Sequence, residues 1–321
     1  MLRGGFVFLL LLLSPAGAKA QVAIGQLTGS ITYQQQPQTL TGWVAYLDIA
    51  GGQLQPTVTP PLPSTACQNG AGGDVQLQTT AAFATAQATL VAINANLGPP
   101  APPYPPGACG TPYGLLVDNG NVVNPGETNG PTLVFTSNTS ATISLTSPPV
   151  TAAYAVAGWN GGGPGGGGTL LVVPPPPGGG QPTPGTNTQP VPTTIAPRVG
   201  VGITADGKTL ILAMIDGCEA TPLGIENPDF GNVMIGLGAN AAVNLDGGGS
   251  STFIFTPPPV PLTPSPHLLG LLNGAGAPPG SPNGLSFSVT SQPLTQPVQS
   301  VPPCNASSWR AIYANLGFTL P

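Results

Sequence analysis

Charge is what this sequence has least of. Its 321 residues include five Lys+Arg, ten Asp+Glu and one His. Five cations cannot neutralise many phosphates, so nucleic-acid binding through a basic surface is excluded as an expectation. A polybasic membrane contact is excluded for the same reason. No apolar run is long and free enough of Pro and Gly to span a bilayer. With one His, no C-x-x-C and widely spaced cysteines, no metal site and no cofactor are expected. Scarcity of charge also argues against a wholly disordered chain, which usually couples low hydrophobicity to high net charge. Mean hydropathy is +0.21 and 40% of residues are apolar.

What is abundant is glycine and proline, 47 and 43 residues. They concentrate in Gly98 to Pro112, Gly161 to Pro192 and Thr256 to Pro282. These three read as long loops inserted in a folded body. Between them lie compact apolar segments. Gly42 to Ile49 and Val91 to Asn94 read as strands, and Thr79 to Leu90 as a helix with Ala82, Phe83, Ala86 and Leu90 on one face. Tyr113 to Val123 reads as a hairpin about Asn119-Gly120, and Thr132 to Leu145 as a second. Arg198 to Ile215 is two strands joined at Ala205-Asp206-Gly207. Asn227 to Gly238 is a short helix before a strand at Ala241 to Leu245. The expected fold class is α+β: one strand-rich domain with mixed or antiparallel sheets, a few short helices and long Pro/Gly-rich loops.

The first 20 residues have the form of a signal peptide: Arg3, the apolar core Phe6 to Leu13, and Ala18-Lys19-Ala20 as a cleavage site. The expected location is secreted, periplasmic or in the cell envelope. Residues 21–40 read as an N-terminal extension and 41–321 as the domain. Cys67, Cys109, Cys218 and Cys304 suit two disulfides in such a compartment, Cys67–Cys109 with Cys218–Cys304 preferred among three pairings.

Six of the ten acids lie between Arg198 and Ser251: Asp206, Asp216, Glu219, Glu226, Asp229 and Asp246. Asp206-Gly207 serves a turn. Asp216 and Asp246 instead end apolar runs, where acids often line a site. Asp246 opens the string Asp246-Gly247-Gly248-Gly249-Ser250-Ser251. Three glycines let backbone N–H groups converge on an oxyanion without Cβ obstruction. The string is no P-loop, because its spacing and the lysine are absent. A tight turn between strands is the structural alternative.

Ile195 to Thr204, Asp206-Gly207-Lys208, Ile215-Asp216-Gly217 and Asn244-Leu245-Asp246-Gly247-Gly248-Gly249-Ser250-Ser251 occur in this order. Together they resemble the core of the phosphodiester glycosidase family. That family includes N-acetylglucosamine-1-phosphodiester alpha-N-acetylglucosaminidases and exopolysaccharide-related bacterial proteins. Val91 to Asn96, Gly114 to Val123 and Arg310 to Gly317 resemble flanking motifs, so the likeness runs from about residue 41 to the C-terminus. Leu97, Val199 and Cys218 depart from the usual pattern, and Cys218 stands where an arginine is common.

The resemblance implies an exported hydrolase that cleaves a sugar-1-phosphodiester in a polysaccharide or envelope glycan. The alternative is a catalytically inactive glycan- or phosphate-binding module of the same fold. A structural envelope protein is a third possibility. Such a hydrolase needs donors for the diester charge and a carboxylate for the oxocarbenium-like carbon. Asp246 and Asp216 are the expected catalytic carboxylates, with Glu226 in reserve. Arg198, Gly247, Gly248, Gly249, Ser250 and Ser251 are expected on phosphate, and Asn94, Asn96 and Asn244 on sugar hydroxyls. Asn94 and Asn96 capping turns, and Arg198 pairing with Asp229, are the structural alternatives. If the enzymatic reading holds, Arg198, Asp216, Asp246 and Asn94 converge on one cleft.

Overall fold

The structure is a computed structural model. It describes residues 19–62, 75–98, 107–126, 130–145, 151–158, 170–185, 195–259, 262–301, 303, 312 and 314–320. Most of the expected leader, Cys67, Cys304 and Arg310 lie outside these residues.

The segment from Arg198 to Ile215 shows how sequence becomes architecture. Strand Thr209–Ile215 is buried throughout and apolar from Leu210 onward. Leu210, Leu212 and Met214 enter one core cluster, while Ile211, Ala213 and Ile215 enter a second. Side chains alternate across a strand, so an unbroken apolar run marks a strand covered on both faces. Its neighbour Arg198–Ile203 alternates differently. Val199, Val201 and Ile203 face the first cluster. Gly200 and Gly202 face the second, where a Cβ would lie 2.9 Å from the Phe230 ring and 2.8 Å from Ala239. Glycine at both positions lets a helix settle close against the sheet.

We number the strands that position the site in chain order. They are β1 (Val22–Tyr33), β2 (Gln36–Asp48), β3 (Gln55–Val58), β4 (Val91–Asn94), β5 (Arg198–Ile203), β6 (Thr209–Ile215), β7 (Ala241–Asn244), β8 (Phe253–Phe255), β9 (Ser286–Ser291), β10 (Val298–Ser300) and β11 (Asn315–Thr319). One eight-stranded sheet carries β7-β5-β6-β2-β1-β9 in that order, with two short strands, Val172–Val173 and Thr183–Pro184, beyond β7. A five-stranded sheet runs β10-β8-β4-β11-β3. All these pairings are antiparallel. The two sheets share the larger core cluster, to which β5 and β6 give Val199, Leu212 and Met214, and the smaller sheet gives Ile93, Phe253 and Leu316. Helix α1 (Thr80–Ala86) packs Phe83 and Ala84 against Ala92 and Ile254 on the other face of the smaller sheet. Helices α2 (Asn227–Gly236) and α3 (Pro266–Asn273) cover the other face of the larger sheet. A third, five-stranded sheet includes the two expected hairpins, Leu116–Asp118 with Asn121–Asn124 and Thr132–Ser137 with Ser140–Ser144. Asn119 and Gly120 take the positive φ values, 46° and 77°, that a two-residue hairpin turn requires.

The fold is therefore strand-rich and mainly antiparallel, with one short parallel pair, Lys19–Ala20 with Thr263–Pro264, and three short helices among the described residues. Several segments differ from the sequence expectation, among them Gly161 to Pro192, read as loop, which holds the short strands Val172–Val173 and Thr183–Pro184. Residues 22–40, read as an extension, are integral to the larger sheet, with β1 paired to β2 along its whole length. Thr256 to Pro282, read as loop, contains α3, opened by Ser265 accepting from the Leu268 N–H at 3.2 Å and by Pro266 in the first turn. Helix α1 stops at Ala86, well short of Leu90, because Ala88 turns to φ 50°.

Candidate functional site

The register places most of the expected residues at one rim of the stacked sheets. Arg198 opens β5 and stands opposite Ile215, the last residue of β6. Asn244, the last residue of β7, stands opposite Gly200. Asn94 ends β4, and Phe253 begins β8 opposite Ile93. The Asp246-to-Ser251 string is the crossing from β7 in the larger sheet to β8 in the smaller one.

Asn94 holds this crossing at its neck. Its Nδ2 donates to Asp246 O at 2.7 Å, and its Oδ1 accepts from the Thr252 N–H at 2.9 Å. The Asp246 N–H donates to Ala95 O at 2.9 Å, so both sides of the Asp246 backbone are fixed by the end of β4. Asn94 is fully buried. Both ends of its amide group hold the loop in shape. Replacing Asn94 with Ala leaves two buried backbone groups unpaired. A loss of about 3 kcal/mol in urea unfolding is expected, and a change below about 0.5 kcal/mol would contradict the clamp. Asn96 acts similarly on a neighbouring loop: it is buried, and its Nδ2 donates to Tyr113 O at 2.9 Å and Leu115 O at 3.0 Å.

Glycine is required within the crossing. Gly248 lies at φ +63°, and a Cβ on Gly247 would stand 2.9 Å from Pro197 O. Gly248 through Ser250 make one 3-10 turn. The three expected N–H donors are not equivalent. Gly248 N–H donates to Pro197 O at 2.9 Å, so it is turned into the protein. Ser251 is fully buried, with no hydrogen-bond partner for its hydroxyl among the described residues. Ser250 is 5% exposed, and its carbonyl accepts from the Thr252 hydroxyl at 3.1 Å.

Arg198 lies against this loop. Its Nη1 and Cδ are each 3.7 Å from where a Gly247 Cβ would be. Its Nε donates to Ile225 O at 3.2 Å. Burial pushes its pKa down to about 10, against the pull of the Glu226 charge, and the side chain stays cationic at neutral pH. Glu226, at the start of α2, is thus the acid that acts on Arg198. Asp229 is turned instead to Asn283, whose Nδ2 donates to its Oδ2 at 3.0 Å. Burial raises the Asp229 pKa, the Asn283 bond opposes this, and Glu226 adds to it.

Asp216 occupies the same rim on a different face. Arg198 and Ile215 face the α2 side, whereas Asp216 accepts from the Ser300 hydroxyl, at the end of β10, at 2.7 Å. Burial raises its pKa, hydrogen bonds from Ser300 and Thr41 oppose this, and Glu219 adds to it. Asn94, Asp246, Gly247 and Arg198 are linked by contacts. Asp216 is linked to them by its place at the strand ends. Asn244 and Asp246 are both buried at the rim, 0% and 8% exposed.

Cys218 follows Asp216-Gly217 in a tight turn with φ 68°. Cys109 and Cys218 are both disulfide-bonded; their expected partners lie outside the described residues. Among the described residues no three His, Cys, Asp or Glu side chains cluster as a metal site, and no helix is long and apolar enough to cross a membrane.

Sequence reasoning missed Tyr33. Its hydroxyl donates to Glu226 Oε1 at 2.7 Å from the tip of the β1–β2 hairpin, 193 residues away in sequence. No local pattern signals such a contact.

No curated protein sequence matches the chain. Among solved structures, the catalytic domain of zebrafish N-acetylglucosamine-1-phosphodiester alpha-N-acetylglucosaminidase, auto-inhibited by its pro-peptide, is similar. It matches with TM-score 0.59 and 16% identity over 95% of this chain and 85% of that one. A hypothetical protein from Synechocystis matches with TM-score 0.45 and 11% identity over 93% and 62%. An exported protein of Burkholderia pseudomallei, itself of putative assignment, matches with 0.47 and 17% over 89% and 78%. At these identities the likeness concerns the fold, and only the first carries weight. The sequence profile of phosphodiester glycosidases matches residues 85–274. That stretch is more than half of the chain and contains Asn94, Arg198, Asp216 and the whole glycine crossing, so the chain belongs to the phosphodiester glycosidase family.

Proposed function

We propose that this protein is an exported hydrolase that cleaves the bond between a sugar and a phosphodiester in a polysaccharide or envelope glycan. The observation that carries the reading is the junction of Arg198, Gly247 and Asp246 at one rim. There a buried guanidinium lies against a glycine crossing whose first residue is a carboxylate. Membership of a glycosidase family supports the reaction class.

In this reading Arg198 and the N–H groups of Gly247 and Gly249 bind the phosphoryl oxygens, with the Ser250 hydroxyl beside them. Gly248 contributes its left-handed backbone rather than a donor. The sugar C1–O bond breaks with its electron pair passing to the phosphate oxygen. The departing phosphomonoester is already a stable anion, so charge stabilisation matters more here than protonation. Asp246 stabilises the positive charge that develops at C1. Water then bonds to C1, and its proton passes to a carboxylate. Asp216, at the same rim, is the second proposed carboxylate, and burial raises its pKa. Asn244 lies beside the sugar. Cys67–Cys109 and Cys218–Cys304 are the proposed disulfides, and residues 1–20 the leader removed on export.

The test is release of free sugar from a panel of UDP-sugars and α-sugar-1-phosphodiesters by the purified protein. Release of sugar with a phosphomonoester is expected. Saturable binding without turnover would point to the inactive binding module, and no binding to a structural role.

A further inference from the structure

Glu226 has no part in the reaction as written, yet its position is specific. Ala196 and Ile225 are bridged by backbone hydrogen bonds of 3.0 and 3.4 Å, which lays the chain before Arg198 alongside the chain before Glu226. The carboxylate is partly exposed and accepts from the Tyr33 hydroxyl at 2.7 Å. Tyr33 lies outside the family match at 85–274. Among the described residues, the other charged or titratable groups facing Glu226 are Arg198, Tyr33 and Asp229.

A carboxylate beside an anion-binding guanidinium works against anion binding. It offsets part of the arginine's field and repels each negative charge the ligand brings. That repulsion grows with ligand charge. A phosphodiester carries one negative charge. A phosphomonoester carries two above its second pKa of about 6.

We infer that Glu226, held in place by Tyr33, is a specificity-determining residue that penalises a doubly charged phosphomonoester in the Arg198 cradle more than a singly charged phosphodiester. The consequence is faster release of the phosphomonoester product than the Arg198 cradle alone would give. The inference rests on Arg198 being the phosphate ligand. With partly screened charges several ångströms apart, discrimination of about tenfold per unit of ligand charge is expected.

The experiment is an NMR titration of the full chain with dimethyl phosphate and with methyl phosphate, at about pH 5 and about pH 7.5. Dimethyl phosphate stays singly charged throughout, so it reports any titration of Asp229 or Tyr33, while methyl phosphate gains its second charge. In the wild type, the affinity of methyl phosphate relative to dimethyl phosphate should change little between the two pH values, because the Arg198 and Glu226 charges largely offset. Glu226→Gln, which still accepts from Tyr33, should strengthen methyl phosphate relative to dimethyl phosphate by about tenfold between the two pH values. Tyr33→Phe should lie between the two. A structural role for Glu226 would leave the ratio unchanged, and that result overturns the inference alone. If neither anion binds the wild type, or if Arg198→Met leaves binding intact, the cradle itself is wrong and the inference falls with it.

Discussion

Asp246→Asn should lower the rate of sugar release by about a thousandfold, with little change in thermal stability. The argument begins with the backbone. The Asp246 N–H and C=O are both held by the end of β4, at 2.9 and 2.7 Å. An isosteric amide keeps that backbone geometry, removes the negative charge and turns one acceptor oxygen into a donor. A developing oxocarbenium centre next to it then loses its main electrostatic support. The measurement is kcat by free-sugar release, with melting temperature as the control. A loss of less than tenfold would move the critical charge elsewhere, with Asp216 the first alternative.

Arg198→Met should cost about a hundredfold or more in kcat/KM. The side chain is 5% exposed and lies against Gly247. Methionine fills much of the same volume, so most of the change is loss of charge and donors. Arg198→Lys should not restore activity. A lysine ammonium is a point charge without the planar fork that grips two oxygens, and it cannot reproduce the Nε bond to Ile225 O at 3.2 Å together with contacts at the loop. Recovery of near-normal kcat/KM with Lys would show that Arg198 supplies only a positive charge.

The parts of the fold that were legible were those in which local chemistry and tertiary position agree. Asn119-Gly120 made a hairpin because its turn needs positive φ at both residues. The run Thr209–Ile215 was a strand because no other element buries seven consecutive side chains so directly. Strand β1 was hidden because its pattern is broken by glycines. A Cβ at Gly25 would stand 2.3 Å from Val289, and one at Gly29 2.0 Å from Ser286 O. Those glycines admit β9, a strand more than 250 residues away. Helix α3 carried a start signal in Ser265-Pro266, but the prolines and glycines around it outweighed one and a half apolar turns. At the site, the glycine string and its flanking acid were visible because their composition is unusual. The use of each donor was not. Gly248 N–H bonds Pro197, and Asn94 clamps residues 246 and 252, through contacts that depend on two sheets being stacked.

The most direct test of the site is a crystal structure with a non-hydrolysable phosphonate analogue of a sugar-1-phosphodiester bound. Two phosphonate oxygens should lie about 3 Å from the Arg198 guanidinium and from the N–H groups of Gly247 and Gly249, with the sugar C1 turned toward Asp246. An analogue seated away from the glycine crossing, or held there without Arg198, would contradict the account.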